Sequence, residues 1–158
     1  MLENLITDRT LADFQRWKEL RDKGWANMTA AEREEWSAGM KGAYKYSDLN
    51  RVGEALNYLR DRLTAAGYLG GNEFSMPTTW NNSQIPTKES FTSYLSAVET
   101  IRAAMSQKRT TPSTPADTGS LDFQGANDIE SILLDIDELL TKMLSVRYYS
   151  GDLYSGEI

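Results

Sequence analysis

Three stretches of the chain carry apolar residues alternately three and four positions apart. They are Leu49, Val52, Leu56, Leu59, Leu63 and Ala66; then Phe91, Tyr94, Leu95, Val98, Ile101 and Met105; then Ile129, Ile132, Leu133, Ile136, Leu139, Leu140 and Met143. That spacing returns to one face of an α-helix at every turn and predicts helices over 48–66, 88–106 and 127–146. Ser47, Thr87 and Asn127 or Asp128 stand where N-caps belong, and Gly67 supplies a stop. Helices of about 19 residues are about 28 Å long, and such matched lengths favour an up-down-up bundle.

A weaker stripe of Leu11, Phe14, Trp17 and Leu20, preceded by Thr7 and Asp8 and closed by Gly24, predicts a helix over 9–23. Thr29 with Glu32 three positions later is a capping-box pattern and opens a short helix carrying Trp36 and Met40, weakened by Gly39 and Gly42. Residues 1–46 thus read as a helical hairpin that either adds to the bundle or packs across one end of it. Trp17, Trp25 and Trp36 supply an aromatic core between the first helices or, with Arg nearby, a docking surface. Tyr44 covers the junction, and Arg51 is placed to pair with Asp48 or Glu54.

Between the stripes the periodicity lapses. Residues 68–86 gather Gly, Pro, Asn and Ser into one long connection, and 107–125 gather Pro, Thr and Ser into a second, in which Leu121 and Phe123 tuck inward. In the first loop Trp80 stands beside Asn81, Asn82 and Gln84, a set that suits either a plug over the bundle or an indole platform with amides for a sugar. The chain ends on one five-residue pattern written twice, Tyr149-Ser-Gly-Asp-Leu153 and Tyr154-Ser-Gly-Glu-Ile158. Tyr149, Leu153, Tyr154 and Ile158 suit an extended segment laid on another surface; the alternative is a frayed tail. The expected organisation is all-α: a hairpin over 1–46, a three-helix bundle with long loops over 47–148, and an extended docking tail over 149–158.

Composition narrows the chemistry. Seventeen Lys and Arg against 23 Asp and Glu leave a net charge of −6, which argues against nucleic acid as a partner. The absence of Cys and His removes thiolate nucleophiles, disulfides, imidazole bases and the zinc sites built from them. No stretch approaches the roughly 20 apolar residues of a membrane span, and the first ten residues lack a basic, then apolar, leader, so neither membrane insertion nor secretion is expected. The glycine-containing pieces at 39–42 and 67–71 fit no phosphate-binding fingerprint. Asp135, Asp137 and Glu138 read as a solvated helix face in preference to a metal site. The expectation is a non-enzymatic protein that needs no metal or cofactor.

Several pieces together resemble a known family. They are Thr7-Asp8-Arg9-Thr10, Gly24-Trp25-Ala26-Asn27-Met28-Thr29, Gly39-Met40-Lys41-Gly42-Ala43-Tyr44, Asp48-Leu49-Asn50-Arg51-Val52, Gly125-Ala126-Asn127-Asp128-Ile129-Glu130 and the terminal repeats. They are similar to the small structural proteins encoded with tail genes in phages and prophages of Gram-positive bacteria, over nearly the whole chain. The resemblance implies a virion component made in the host cytoplasm, in the tail tip, baseplate or fibre attachment region. It implies homo-oligomeric assembly with other tail or baseplate proteins, and it carries no catalytic residue with it. The candidate interface residues are then Trp25, Trp36, Tyr44, Tyr149, Leu153, Tyr154 and Ile158. The alternative function is binding of a host-surface glycan through Trp80, Asn81, Asn82 and Gln84.

Overall fold

The structure is a computed structural model that describes residues 2–71, 74–84, 86–116 and 121–152, with side chains as far as residue 146. The fold is all-α: helices α1 (Leu11–Lys23), α2 (Ala30–Ala38), α3 (Tyr46–Ala65), α4 (Lys88–Ala103) and α5 (Phe123–Asp152), with short 3-10 turns at Leu2–Asn4 and Trp25–Asn27. Thr29 and Thr87 cap α2 and α4 as their spacing predicts, each accepting from the backbone N–H three residues on. Three other starts differ from the sequence expectation. Thr10, in a reciprocal box with Asp13, opens α1 in place of Thr7 or Asp8. Asp48 accepts from the Lys45 N–H at 2.8 Å, so α3 begins ahead of Ser47. Asp122 accepts from the Gly125 N–H at 2.7 Å, so α5 begins four residues before Asn127.

The core is one cluster built from the three predicted stripes. Val52, Leu56, Leu59 and Leu63 of α3, Val98 and Ile101 of α4, and Ile129, Ile132, Leu133, Ile136 and Leu140 of α5 are fully buried in it. Met143, assigned by its spacing to the same face, is 49% exposed, while its neighbour Leu144 packs partly against the core in its place. Leu140 is the last fully buried residue of α5 among the described side chains and Leu144 still packs partly against the core, yet the helix continues to Asp152. The stretch beyond Leu144 is about 12 Å at 1.5 Å per residue. Residues 149–152 are therefore helical, correcting the extended tail expected from Tyr149 onward, while Leu153, Tyr154 and Ile158 lie outside the described residues.

The helix directions also differ from the expectation. Arg51 meets Glu130 and Arg62 meets Asp137 and Thr141, so α3 and α5 run the same way. Tyr44, just ahead of α3, bonds Tyr94 in the first half of α4, while Tyr68 and Leu69, just past α3, adjoin Ser96 to Ala104, so α3 and α4 also run the same way. The bundle is parallel, not up-down-up. Matched lengths carry no information about direction; short loops force antiparallel neighbours, whereas connections of this length can recross the bundle.

Both long loops perform that return. The first runs antiparallel to α3: the carbonyl of Phe74 accepts from Arg60, Met76 pairs with Asn57, and Trp80 pairs with Asn50. Phe74, Met76, Thr78 and Trp80 are half-buried and the residues between them exposed, a strand-like alternation along a helix. Gly53 permits the approach, since a Cβ there would stand 2.6 Å from the Pro77 carbonyl oxygen. The second return runs back along α4 and α5, with Arg102 donating to the Pro112 carbonyl at 2.7 Å and Thr111 to Asp135 at 2.7 Å.

The hairpin packs across the end of the bundle where α5 begins. Phe14 lies 6.3 Å from Phe123 ring to ring, and Gly42 passes so close to α1 that a Cβ would overlap the Asp13 carbonyl. Leu20 and Met28 are buried, and Arg16–Glu35 and Lys23–Glu32 pairs, each 2.7 Å, tie α1 to α2 at the surface.

Candidate functional site

The first candidate surface is the groove at Trp80. Asn50 holds the backbone of Trp80 in both directions, its Nδ2 donating to the carbonyl at 2.9 Å and its Oδ1 accepting from the N–H at 2.7 Å. The indole is half-buried against the core, which is the plug position. It also walls a groove of about 260 Å³ with Met76, Pro77, Phe91 and Tyr94, whose polar lining is Ser75, Ser90 and Ser93.

Asn81, Asn82 and Gln84 do not line this groove. Asn81 Oδ1 accepts from the Ser83 N–H at 3.0 Å and from its hydroxyl at 2.5 Å, and Gln84 Oε1 accepts from the Asn81 N–H at 3.2 Å. Two of the amides are thus spent in closing a surface turn, the habit of side chains that can bond their own backbone. Sequence reasoning missed the serines that replace them. The signal was present in Ser90, Ser93 and Tyr94, which share a helical face three and four residues apart.

The second candidate surface is the aromatic N-terminal part. Trp25 is 52% exposed with the Arg33 guanidinium 5.4 Å from its ring centre, and Trp36 is half-buried. Among the described residues neither forms an aromatic pair, so the expected core of Trp17, Trp25 and Trp36 is replaced by a contact of Trp17 with Phe14 at 5.7 Å. Tyr44, expected at an interface, is turned inward instead: its hydroxyl shares a 2.5 Å hydrogen bond with that of Tyr94, and its ring lies under Arg9. Burial pushes both tyrosine hydroxyls well above their usual range, so both are neutral at ordinary pH.

Behind Tyr44 lies a buried ionic box that the sequence did not announce. Arg9 Nη2 donates to Glu130 Oε1 at 2.7 Å and to Asp48 Oδ1 at 3.2 Å. Arg51 Nη2 donates to the same two oxygens at 2.8 and 2.5 Å. Glu130 also accepts from the Ile6 N–H at 2.5 Å, and Asn127 pairs with both backbone groups of Arg9 at 3.0 and 2.8 Å. Two guanidiniums and two carboxylates cancel, which is how charges this deep are tolerated. The expected Arg51–Asp48 pair is present, and Asn127, expected as a helix cap, is a clamp on the segment ahead of α1. Arg9 and Glu130 are 121 residues apart, and no local pattern foretells their meeting.

The acidic group on α5 is engaged by cations. Lys108 pairs with Asp135 at 2.9 Å and with Glu138, Lys142 with Glu138 at 2.5 Å, and Arg62 with Asp137. The two lysines hold the Glu138 carboxyl down at about 2. The third candidate surface is the overhanging end of α5, where Val146 is 66% exposed beside Met143. The side chain of Tyr149 lies outside the described ones. Comparison with protein-family models, with characterised proteins and with solved structures yields no match.

Proposed function

We propose that this chain is a structural component of a phage tail or phage-derived tail-like particle, acting through assembly with copies of itself and with other tail or baseplate proteins, not through catalysis. The observation that carries the reading is the overhang of α5. Among the described side chains its last core contact is Leu144; it exposes Met143 and Val146, and leads into the doubled Tyr-Ser-Gly pattern. An uncovered apolar helix end running into an aromatic repeat is a feature that suits a partner surface. The family resemblance points the same way. Deleting residues 149–158 tests it: helix content and melting should stay nearly unchanged while incorporation into assembled tails is lost. Normal incorporation of the truncated chain would overturn the role given to the repeat.

A second reading is favoured by the groove at Trp80, where three aromatic side chains and three serines could hold a host-surface sugar. Trp80→Ala separates the two. If the indole is a plug, melting falls and no cell-wall glycan binds the parent protein; if it is a platform, glycan binding disappears with melting intact.

A further inference from the structure

The groove at Trp80 does not end there. Its cavity of about 260 Å³ adjoins a second of about 420 Å³ at Met76 and Ser93, and that one adjoins a third of about 380 Å³ at Ser96 and Thr100. The three follow α4 from Ser90 to Ala104, about 21 Å at 1.5 Å per residue. Their opposite wall is the chain that follows α3, which sets an aromatic ring in each: Trp80 in the first, Phe74 in the second and Tyr68 in the third. Each cavity also holds a free hydroxyl. Ser75 and Ser93 line the first, Ser93 and Ser96 the second and Ser96 the third; all three serines are exposed and make no side-chain hydrogen bond among the described residues. The hydroxyls of Thr92 and Thr100 instead donate to carbonyls of their own helix, and that of Ser90 shares a bond with Thr87. Among the described residues no charged side chain lines the first two cavities, and Glu99 is the one that lines the third, in a chain of which 25% is charged.

Resting on the second reading above, in which Trp80 is a sugar platform, we propose that the whole groove binds an uncharged, linear, β-1,4-linked oligosaccharide. Trp80, Phe74 and Tyr68 are its three successive stacking positions, and Ser93 and Ser96 are the hydrogen-bond partners between them. A ring and a hydroxyl repeated three times suit a ligand that itself repeats. A sugar unit offers an apolar face of C–H bonds to a ring and an edge of hydroxyls that donate and accept as serine hydroxyls do. The path along one side of a helix is straight, and β-1,4 links keep a sugar chain extended where α-links coil it. Charge points the same way. No cation among the described residues lines the groove to hold a polyanion, and the one carboxylate a polycation would meet, Glu99, is already paired with Arg102 at 3.5 Å.

Calorimetric titration of the full chain with cellohexaose and chitohexaose, each against its disaccharide, tests the length of the site. One or both hexasaccharides should bind at least about tenfold more tightly than the disaccharide, because further rings stack. Maltohexaose, which coils, and hexagalacturonate, which is anionic, should bind more weakly. Ser96→Trp fills the groove where the second and third cavities meet, at an exposed position of α4, and should bring the hexasaccharide down to the affinity of the disaccharide while leaving the disaccharide unchanged. Hexasaccharide and disaccharide bound equally by the parent protein would overturn the extended groove and leave the single platform at Trp80 standing. No binding of any of these sugars at millimolar concentration would overturn both. A preference for maltohexaose or hexagalacturonate, hexasaccharide binding indifferent to Ser96→Trp, or occupation of the groove by a synthetic peptide of residues 149–158 in place of sugar would each overturn the proposal.

Discussion

The connection from α3 to α4 and the connection from α4 to α5 meet the same geometrical need, a return across a parallel bundle, and they are held by different chemistry. The first is gripped through its backbone: Asn57 and Asn50 each bond both the N–H and the carbonyl of one residue, at Met76 and Trp80, and Gly53 lets the chain lie close between them. The second is gripped largely through charge, with Lys108 on Asp135 and Glu138, Thr111 on Asp135, and Thr114 on Glu99 at 2.5 Å. Amide-to-backbone pairs do not titrate and are little screened by salt. Carboxylate pairs at the surface do titrate and are screened. The two returns should therefore fail under different conditions, although both rest on one core.

The largest effect removes what they share. Leu56→Asp puts an unpaired carboxylate into the fully buried centre of the cluster, at a cost of several kcal/mol against a typical stability of about 5–15 kcal/mol. Circular dichroism should show the helices lost, and hydrogen exchange should show 74–80 and 108–116 unprotected together. A folded variant would mean that the core does not depend on α3 in this register.

A smaller effect acts on one return alone. Gly53→Val should cost about 1–3 kcal/mol, because the new side chain occupies the path of the Pro77 carbonyl and the first return must lift away. Exchange should rise across 74–80 and the Trp80 emission shift to the red, with 108–116 unaffected. Equal loosening of both segments would contradict their independence.

Single-partner deletions sharpen the contrast. Asn57→Ala, losing two hydrogen bonds to a half-buried backbone, should cost about 1–3 kcal/mol with little dependence on salt. Asp135→Ala, removing a partly exposed ion pair and the acceptor of the Thr111 hydroxyl, should cost about 1–2 kcal/mol, with the ion-pair share of it falling at high salt. Urea titrations at two ionic strengths measure both; a salt-sensitive Asn57→Ala penalty would refute the assignment.

The smallest effect is set by acid. The folded-state value of Glu138 is depressed by Lys108 and then Lys142 to about 2 from the usual 4.5, so its contribution is complete above about 4.5 and is lost as pH falls towards 2. Over that window exchange should rise at 108–116 before it rises at 74–80. The reverse order would show that the lysine pairs do not hold the second return.

How much of this was legible in the residues follows from the range over which each interaction acts. Periodicity is local: a stripe repeating at three and four positions is a property of one helix, so Leu56, Ile101 and Ile136 were read as core without knowing their neighbours. The caps at Thr29 and Thr87 were legible because donor and acceptor lie three residues apart. Direction was not legible, since a stripe looks the same in a parallel and an antiparallel bundle and the deciding evidence is what grips the connecting chain. Asn127 reads as a helix cap, and Asn50 and Asn57 carry no signal of their role, because an amide has no periodicity to betray a backbone partner 19 to 118 residues away. Arg9 and Glu130 carry no local signal of burial for the same reason, and only their convergence makes burial of either affordable. The sequence by itself determined which faces of which helices seek shelter from water. Tertiary structure decided the order in which they meet, and through it the polar side chains that hold extended chain against them, because a hydrogen bond is specified by both its partners while an apolar face is specified by one.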